Sequence, residues 1–319
     1  MLKGSCVATL LLVPAIAVAV DQGSITAPTT GSATQAALTE PLLQPYEPTT
    51  GGFTQDSDDA GFVDVNLSVK IRIAPDYILP RIRPFLAMTT RFGFYWGTRP
   101  GSPVIGKTYN PALLLRILTR DTLVRSPDGS RSEYAEFINV GYAHESNGQL
   151  IHTQQQYQQE LVSAPDSRFA DNFIHRGWDY LNVAWKKNFG DPDVSMTLDA
   201  KYFLPNGLLQ GAEDEYHPWE NNPQGKPRKA VDGISAAVGW PTSAIDFPVN
   251  DLRLRPNLIL KYTTGYQTPF AYSTMRAELG LHVASLPIVL WGQHGYMSSL
   301  ANYYKRVDAV GIELRFDSF

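Results

Sequence analysis

The sequence predicts an all-β protein, an antiparallel transmembrane β-barrel of about twelve strands. Three observations predict it. From Val63 to Ile73, apolar Val63, Val65, Leu67, Val69, Ile71 and Ile73 alternate without a fault with Asp64, Asn66, Ser68, Lys70 and Arg72. That run has the length a tilted strand needs to cross a bilayer. The polar face carries full charges (Asp64, Lys70, Arg72, and later Asp199, Lys201, Arg276, Glu278, Glu313 and Arg315) where a soluble barrel would pack its core. Aromatic residues sit near predicted strand ends, among them Tyr95, Trp96, Trp178, Trp185, Trp240 and Trp291, as an interfacial girdle would require.

Residues 1–20 combine Lys3, a short apolar run broken by Pro14, and a small-residue end at Ala17-Val18-Ala19. They read as a secretory signal peptide. Residues 21–60, rich in Thr, Ser, Gly, Gln and Pro, read as a mobile leader with little structure until about Phe62. The barrel domain follows over 61–319. Clean alternation recurs at 194–202, 275–283 and 310–316, and less regular strands fall near 83–96, 109–120, 134–144, 176–187, 228–240, 251–262 and 286–296. These make eleven, and closure of a single-chain barrel calls for an even number.

The formal charge of −4 gives no basic surface for nucleic acid. The single cysteine, Cys6, lies inside the signal peptide, so the mature chain has no disulfide, thiolate metal site or cysteine nucleophile. No later stretch is long and apolar enough for a spanning helix, so membrane entry requires a closed barrel.

Chemistry concentrates at 134–148, YAEFINVGYAHESNG. His144 and Ser146, two apart on a strand, leave the same face as Ile138, Val140 and Tyr142. A base and a nucleophile therefore stand on the apolar side, which suits a lipid substrate. On the next strand, Asp179 shares parity with Leu181, Val183 and Trp185. Antiparallel pairing brings it beside His144, in the logic of a hydrolytic triad.

Gly141-Tyr142 followed by HESNG resembles the GYxHxSNG motif of the outer-membrane phospholipase A family. HRGWD (175–179) is similar to that family's SRSWN block. FLAMTTRFGFYW (85–96), YNP (109–111) and the tail GYMSSLANYYKRVDAVGIELRF (295–316) extend the resemblance over about 60–319. The resemblance implies a twelve-stranded barrel acting as a calcium-bound homodimer in the bacterial outer membrane. Its activity would be hydrolysis of phospholipid acyl esters at A1 and A2 positions and of lysophospholipids. It makes Ser146 the nucleophile, His144 the base, Asp179 the orienter in place of an Asn, and Gly148 an oxyanion donor. For calcium it points to the Gln149 carbonyl, His175 where the family has Ser, Ser167 as a displaced substitute, and Ser102 from the second subunit, beside Gly101. Asp166 and Asp171 stand as compensating carboxylates. The insertion at roughly 150–174 reads as an exposed loop, and His152, His175 and His217 as loop residues. The rival readings are a porin-like or degenerate barrel without activity and a soluble secreted esterase; the chain lacks the G-x-S-x-G elbow of the latter.

Overall fold

The computed structural model describes residues 41–57, 61–74, 81–96, 104–120, 123–125, 132–134, 136–164, 166–189, 194–211, 216–220, 225–241, 245–246, 253–283 and 286–316. The predicted signal peptide and the first half of the predicted leader lie outside these residues.

Twelve antiparallel strands close into a barrel. In chain order they are β1 (Thr49–Asp56), β2 (Gly61–Arg72), β3 (Ile82–Phe94), β4 (Val104–Leu118), β5 (Phe137–Ser146) and β6 (Gly177–Phe189). The second half comprises β7 (Val194–Phe203), β8 (Gly233–Pro241), β9 (Arg253–Gly265), β10 (Ser273–Val283), β11 (Leu286–Gly295) and β12 (Val307–Phe316). Each pairs with its neighbour in sequence, and β1 closes the ring by pairing with β12 from Thr49↔Phe316 to Asp56↔Ala309. The connections 147–176, 204–232 and 296–306 leave one end, called here the upper end, and the HESNG motif sits at that end of β5.

The twelfth strand is the correction to the leader prediction. Residues 49–56 (TTGGFTQD) show one large apolar side chain, Phe53, and so carry no alternation to read. Backbone pairing on both edges, not side-chain pattern, makes them a strand. Ahead of it, Leu43-Gln44 also pairs with β2. The intervening loop turns inward, so that Tyr46 packs against Phe85, Ala87 and Leu114 inside the barrel.

Alternation sorts the rest. Val63, Leu67, Ile71, Leu113, Leu115, Val140, Leu181, Val183, Leu258, Leu260 and Leu290 are exposed on the outer wall. A continuous apolar belt of that size is tolerable only against lipid. Inside, Arg276, Glu278, Glu313 and Arg315 interlock, with Arg315–Glu278 and Arg315–Glu313 both at 2.6 Å. Arg91 pairs with Asp64 at 2.5 Å. A polar cavity of about 680 Å³, bordered by Tyr46, Glu47, Asp199 and Lys201, occupies the middle of the lumen. The charged face is thus neutralised by its own pairs.

The aromatic girdle holds only in part. Trp96 and Trp240 are exposed on the outside. Trp178 and Trp291 have the opposite parity to their lipid-facing neighbours and point inward. Trp178 is fully buried against Tyr303, and Trp291 lies under the Arg276 guanidinium. Tyr95 is buried on Phe62.

The insertion after β5 is also more than a loop. It forms α1 (Gln154–Ser163) and a short 3₁₀ helix (Ser167–Phe173), joined by a small core of Ile151, Tyr157, Ala170 and Ile174. Thr153 caps α1 in a reciprocal capping box with Gln156. Tyr157 and Leu161, one turn apart, supply its apolar contacts.

Candidate active site

Strands β5 and β6 pair in a register that places His144 directly opposite Asp179 and Ser146 opposite Gly177. Both side chains of the first pair lie on the outer wall, as parity predicts. His144 Nδ1 and Asp179 Oδ1 are 2.7 Å apart, with the histidine side chain 15% exposed and the carboxylate 0%. A carboxylate so placed accepts Nδ1–H and leaves Nε2 with its lone pair, which is the tautomer a general base needs. Ser146 projects from the same face two residues on and is partly exposed. Its hydroxyl makes no hydrogen bond among the described residues. Bonds of this kind often tighten only when substrate binds.

The carboxylate is held from above. The connection after β7 folds back over β6, and Asp179 Oδ2 accepts from the backbone N–H of Leu209 at 2.7 Å and of Gln210 at 3.0 Å. The Tyr142 hydroxyl faces the same carboxylate and accepts from the Leu208 N–H at 2.9 Å. These donors offset the cost of burying a charge on the outer wall. Nothing in the local pattern of 204–211 announces that role; the tyrosine was visible only as a member of the apolar face.

Behind the wall, Glu145 points inward and accepts from Arg228 at 2.6 Å. Arg228 lies on α2 (Arg228–Val231), is fully buried, bonds Asp232 at 2.7 Å and stacks over Trp178 and Phe203. Burial works to raise the Asp232 carboxyl, but Lys201 and Arg228 outweigh it and hold it well below the usual range.

The turn after Ser146 is fixed by Asn147. Its Nδ2 donates to the Ile174 carbonyl at 2.8 Å, its Oδ1 accepts from Arg176 N–H at 2.9 Å, and its own N–H donates to the Arg176 carbonyl. The Asn147 amide is therefore spent on structure. Gly148 follows with φ of +55°, a region that favours glycine, and its N–H is engaged by no group among the described residues. That leaves Gly148 as an amide able to receive a developing oxyanion. Tyr109, register partner of Ser146, lies against Gly148.

The expected metal ligands are not gathered in this way. Calcium takes six to eight hard oxygens. Gln149 is buried next to the motif, but at the expected serine position stands His175, whose ring packs against that of His152 with centroids 4.2 Å apart and planes tilted by 33°. Ser167 is an exposed residue opening the 3₁₀ helix. Asp166 is engaged by Arg168, and Asp171 by the Tyr157 hydroxyl and Lys305. Ser102 lies outside the described residues. Among the described residues no three His, Cys, Asp or Glu side chains cluster as a metal site. The expected side chains do not fit calcium, because His175 supplies no oxygen and Asp166 and Asp171 are already engaged. His217 stacks on Trp219 and stands apart.

Neither a known protein-family model nor any curated protein sequence matches the chain. Solved structures do. The fold is similar to that of outer membrane phospholipase A from Escherichia coli, at 16% identity and a TM-score of 0.55, covering 87% of this chain and 99% of that one. It is likewise similar to a Salmonella typhi outer membrane phospholipase dimer with bound calcium, at 16% identity and a TM-score of 0.59, covering 86% and 92%. At this identity the likeness establishes the barrel fold.

Proposed function

We propose that the protein is a phospholipase of the bacterial outer membrane that cleaves acyl esters by serine catalysis on the outer wall of its barrel. The observation that carries this reading is the His144–Asp179 pair, desolvated on the lipid-facing side two residues from Ser146. The belt of exposed apolar residues and the similarity of fold to outer membrane phospholipase A support the location.

The Ser146 Oγ attacks the acyl carbonyl carbon while His144 Nε2 takes its proton. The Asp179 carboxylate holds the ring and stabilises the imidazolium that forms. The Gly148 N–H donates to the tetrahedral oxyanion. Collapse breaks the ester bond, His144 returns the proton to the departing lysophospholipid oxygen, and the acyl-enzyme remains. Water, deprotonated by His144, then releases the fatty acid. No step is assigned to calcium, since the described residues do not build its site. Both A1 and A2 esters and the lysophospholipid fit a site open to the bilayer. Pairing of two copies through the apolar wall belongs to the same proposal, supported by the dimeric Salmonella neighbour.

The test is fatty-acid release from phospholipid micelles by the refolded chain. Ser146→Ala and His144→Ala each abolish release while keeping heat-modifiable migration on a gel. Release by folded Ser146→Ala protein would overturn the reading.

A further inference from the structure

The orienting position presents a choice that the surrounding backbone has already made. A residue there must accept Nδ1–H of His144, and either Asp or Asn could do so in isolation. The difference lies on the far side of the carboxylate. There Oδ2 meets two backbone donors, Leu209 N–H at 2.7 Å and Gln210 N–H at 3.0 Å. Gly207 closes the cradle, since a Cβ built on it would stand 1.8 Å from Oδ2. The turn is so close that only a residue without a side chain fits.

From this geometry, and resting on the Ser146–His144–Asp179 reading, we infer that the Gly207–Gln210 turn is a positioning element that commits the site to a carboxylate at residue 179. An ionised Asp carries two acceptor oxygens, one for each side. An Asn carries one oxygen and an NH₂ group, and both ways of seating it fail. With the oxygen toward His144, the NH₂ confronts the Leu209 and Gln210 N–H groups, donors against donors, and leaves both amides without a partner. With the oxygen toward the turn, the NH₂ donates to the ring, protonating Nε2 in the neutral imidazole and removing the base. The Asn to which the resemblance points is the wrong residue for this cradle.

The turn also explains how a charge survives on that wall. Leu208 and Leu209 are 86% and 64% exposed, so the turn presents apolar side chains outward and its amides inward. Asp179 is roofed from lipid by the backbone that binds it.

The experiment uses the refolded full chain and micellar phospholipid, with Asp179→Asn and Gly207→Ala. Asp179→Asn lowers kcat by at least about a hundredfold with KM unchanged, the signature of a histidine held in the wrong tautomer. Gly207→Ala, which forces the turn off the carboxylate, lowers kcat in the same direction. In ¹⁵N-histidine spectra, with the His144 signals assigned by their loss in His144→Ala, both variants move the ring nitrogens away from the Nδ1–H pattern of the parent. Parent-like kcat in folded Asp179→Asn or Gly207→Ala protein, or unchanged ring signals in both, overturns the inference. Failure of the underlying reading looks different: Ser146→Ala would then keep hydrolysing, while the spectra would still report whether the turn governs the ring.

Discussion

Glu145 and Arg228, 83 positions apart in sequence, meet at 2.6 Å inside the barrel directly behind the face that carries His144 and Ser146. The residue between His144 and Ser146 is therefore tied to a helix in a distant connection. Alternation forces this arrangement: if 144 and 146 face lipid, 145 faces the lumen. Its charge there is matched by a guanidinium that also serves Asp232. Arg228→Met removes the hydrogen-bonded cation shared by two buried carboxylates and leaves them only Lys201, a loss of about 3–5 kcal/mol. We expect the urea midpoint of the gel-shift transition to fall markedly and the hydrolytic rate with it; an unchanged midpoint would show that the cluster is idle.

The same cluster has a pH signature. Asp232 titrates below its ordinary value of 3.8. A depressed carboxylate stabilises the fold fully above its unfolded value and loses that contribution as pH falls toward the folded one. Asp232→Asn should thus destabilise the barrel at pH 7, with the gap to the parent narrowing below about pH 4. Parallel denaturation curves at pH 7 and pH 3 check it.

Asn147 ties the turn chiefly to the 174–176 segment, and its Oδ1 also accepts from the Gln149 N–H at 3.4 Å. Asn147→Ala removes these side-chain bonds, leaves buried backbone groups unpaired and costs about 1–3 kcal/mol locally. Because the turn carries Gly148, kcat should fall about tenfold or more with KM little changed. A drop in stability with full kcat would confine Asn147 to scaffolding.

Calcium dependence can be read directly. With no cluster of three His, Cys, Asp or Glu side chains among the described residues to hold a metal, release of fatty acid should continue at the same rate in excess chelator. Loss of activity on chelation, restored by calcium, would place ligands in the segments around Ser102.

Leu208 and Leu209 offer a probe of the outer wall. Replacing both by Ser removes exposed apolar surface beside the site without touching the amides that hold Asp179. We expect weaker use of long-chain phospholipid, seen as a raised apparent KM, with the histidine ring signals unmoved. A parent-like KM would exclude the leucines from lipid contact.

Much of this was legible in the residues. Faultless alternation at 63–73 gave β2, and parity alone placed His144, Ser146 and Asp179 on one wall. What stayed hidden has physical causes. Residues 49–56 carry small and polar side chains, so a strand fixed by two hydrogen-bonded edges left no hydrophobic trace. Trp178 and Trp291 misled because an aromatic near a strand end fits a girdle as readily as a plugged lumen; only parity separates the two. The 204–211 turn acts through backbone amides, which every residue possesses and no sequence pattern marks. The helix at 154–163 did leave a sign, Thr153 and Gln156 at capping-box spacing, but polar composition masked it.

The ring's seam lies between Thr49–Asp56 and Val307–Phe316, the first and last strands. Every other strand can find its partner within a hairpin or one connection, but this pair is separated by nearly the whole chain. Closing so long a loop is slow, and until it closes two edges stay open to stray pairing. The polypeptide thus stays an incomplete sheet whose last strand is the latch, and the barrel is complete only when that latch arrives.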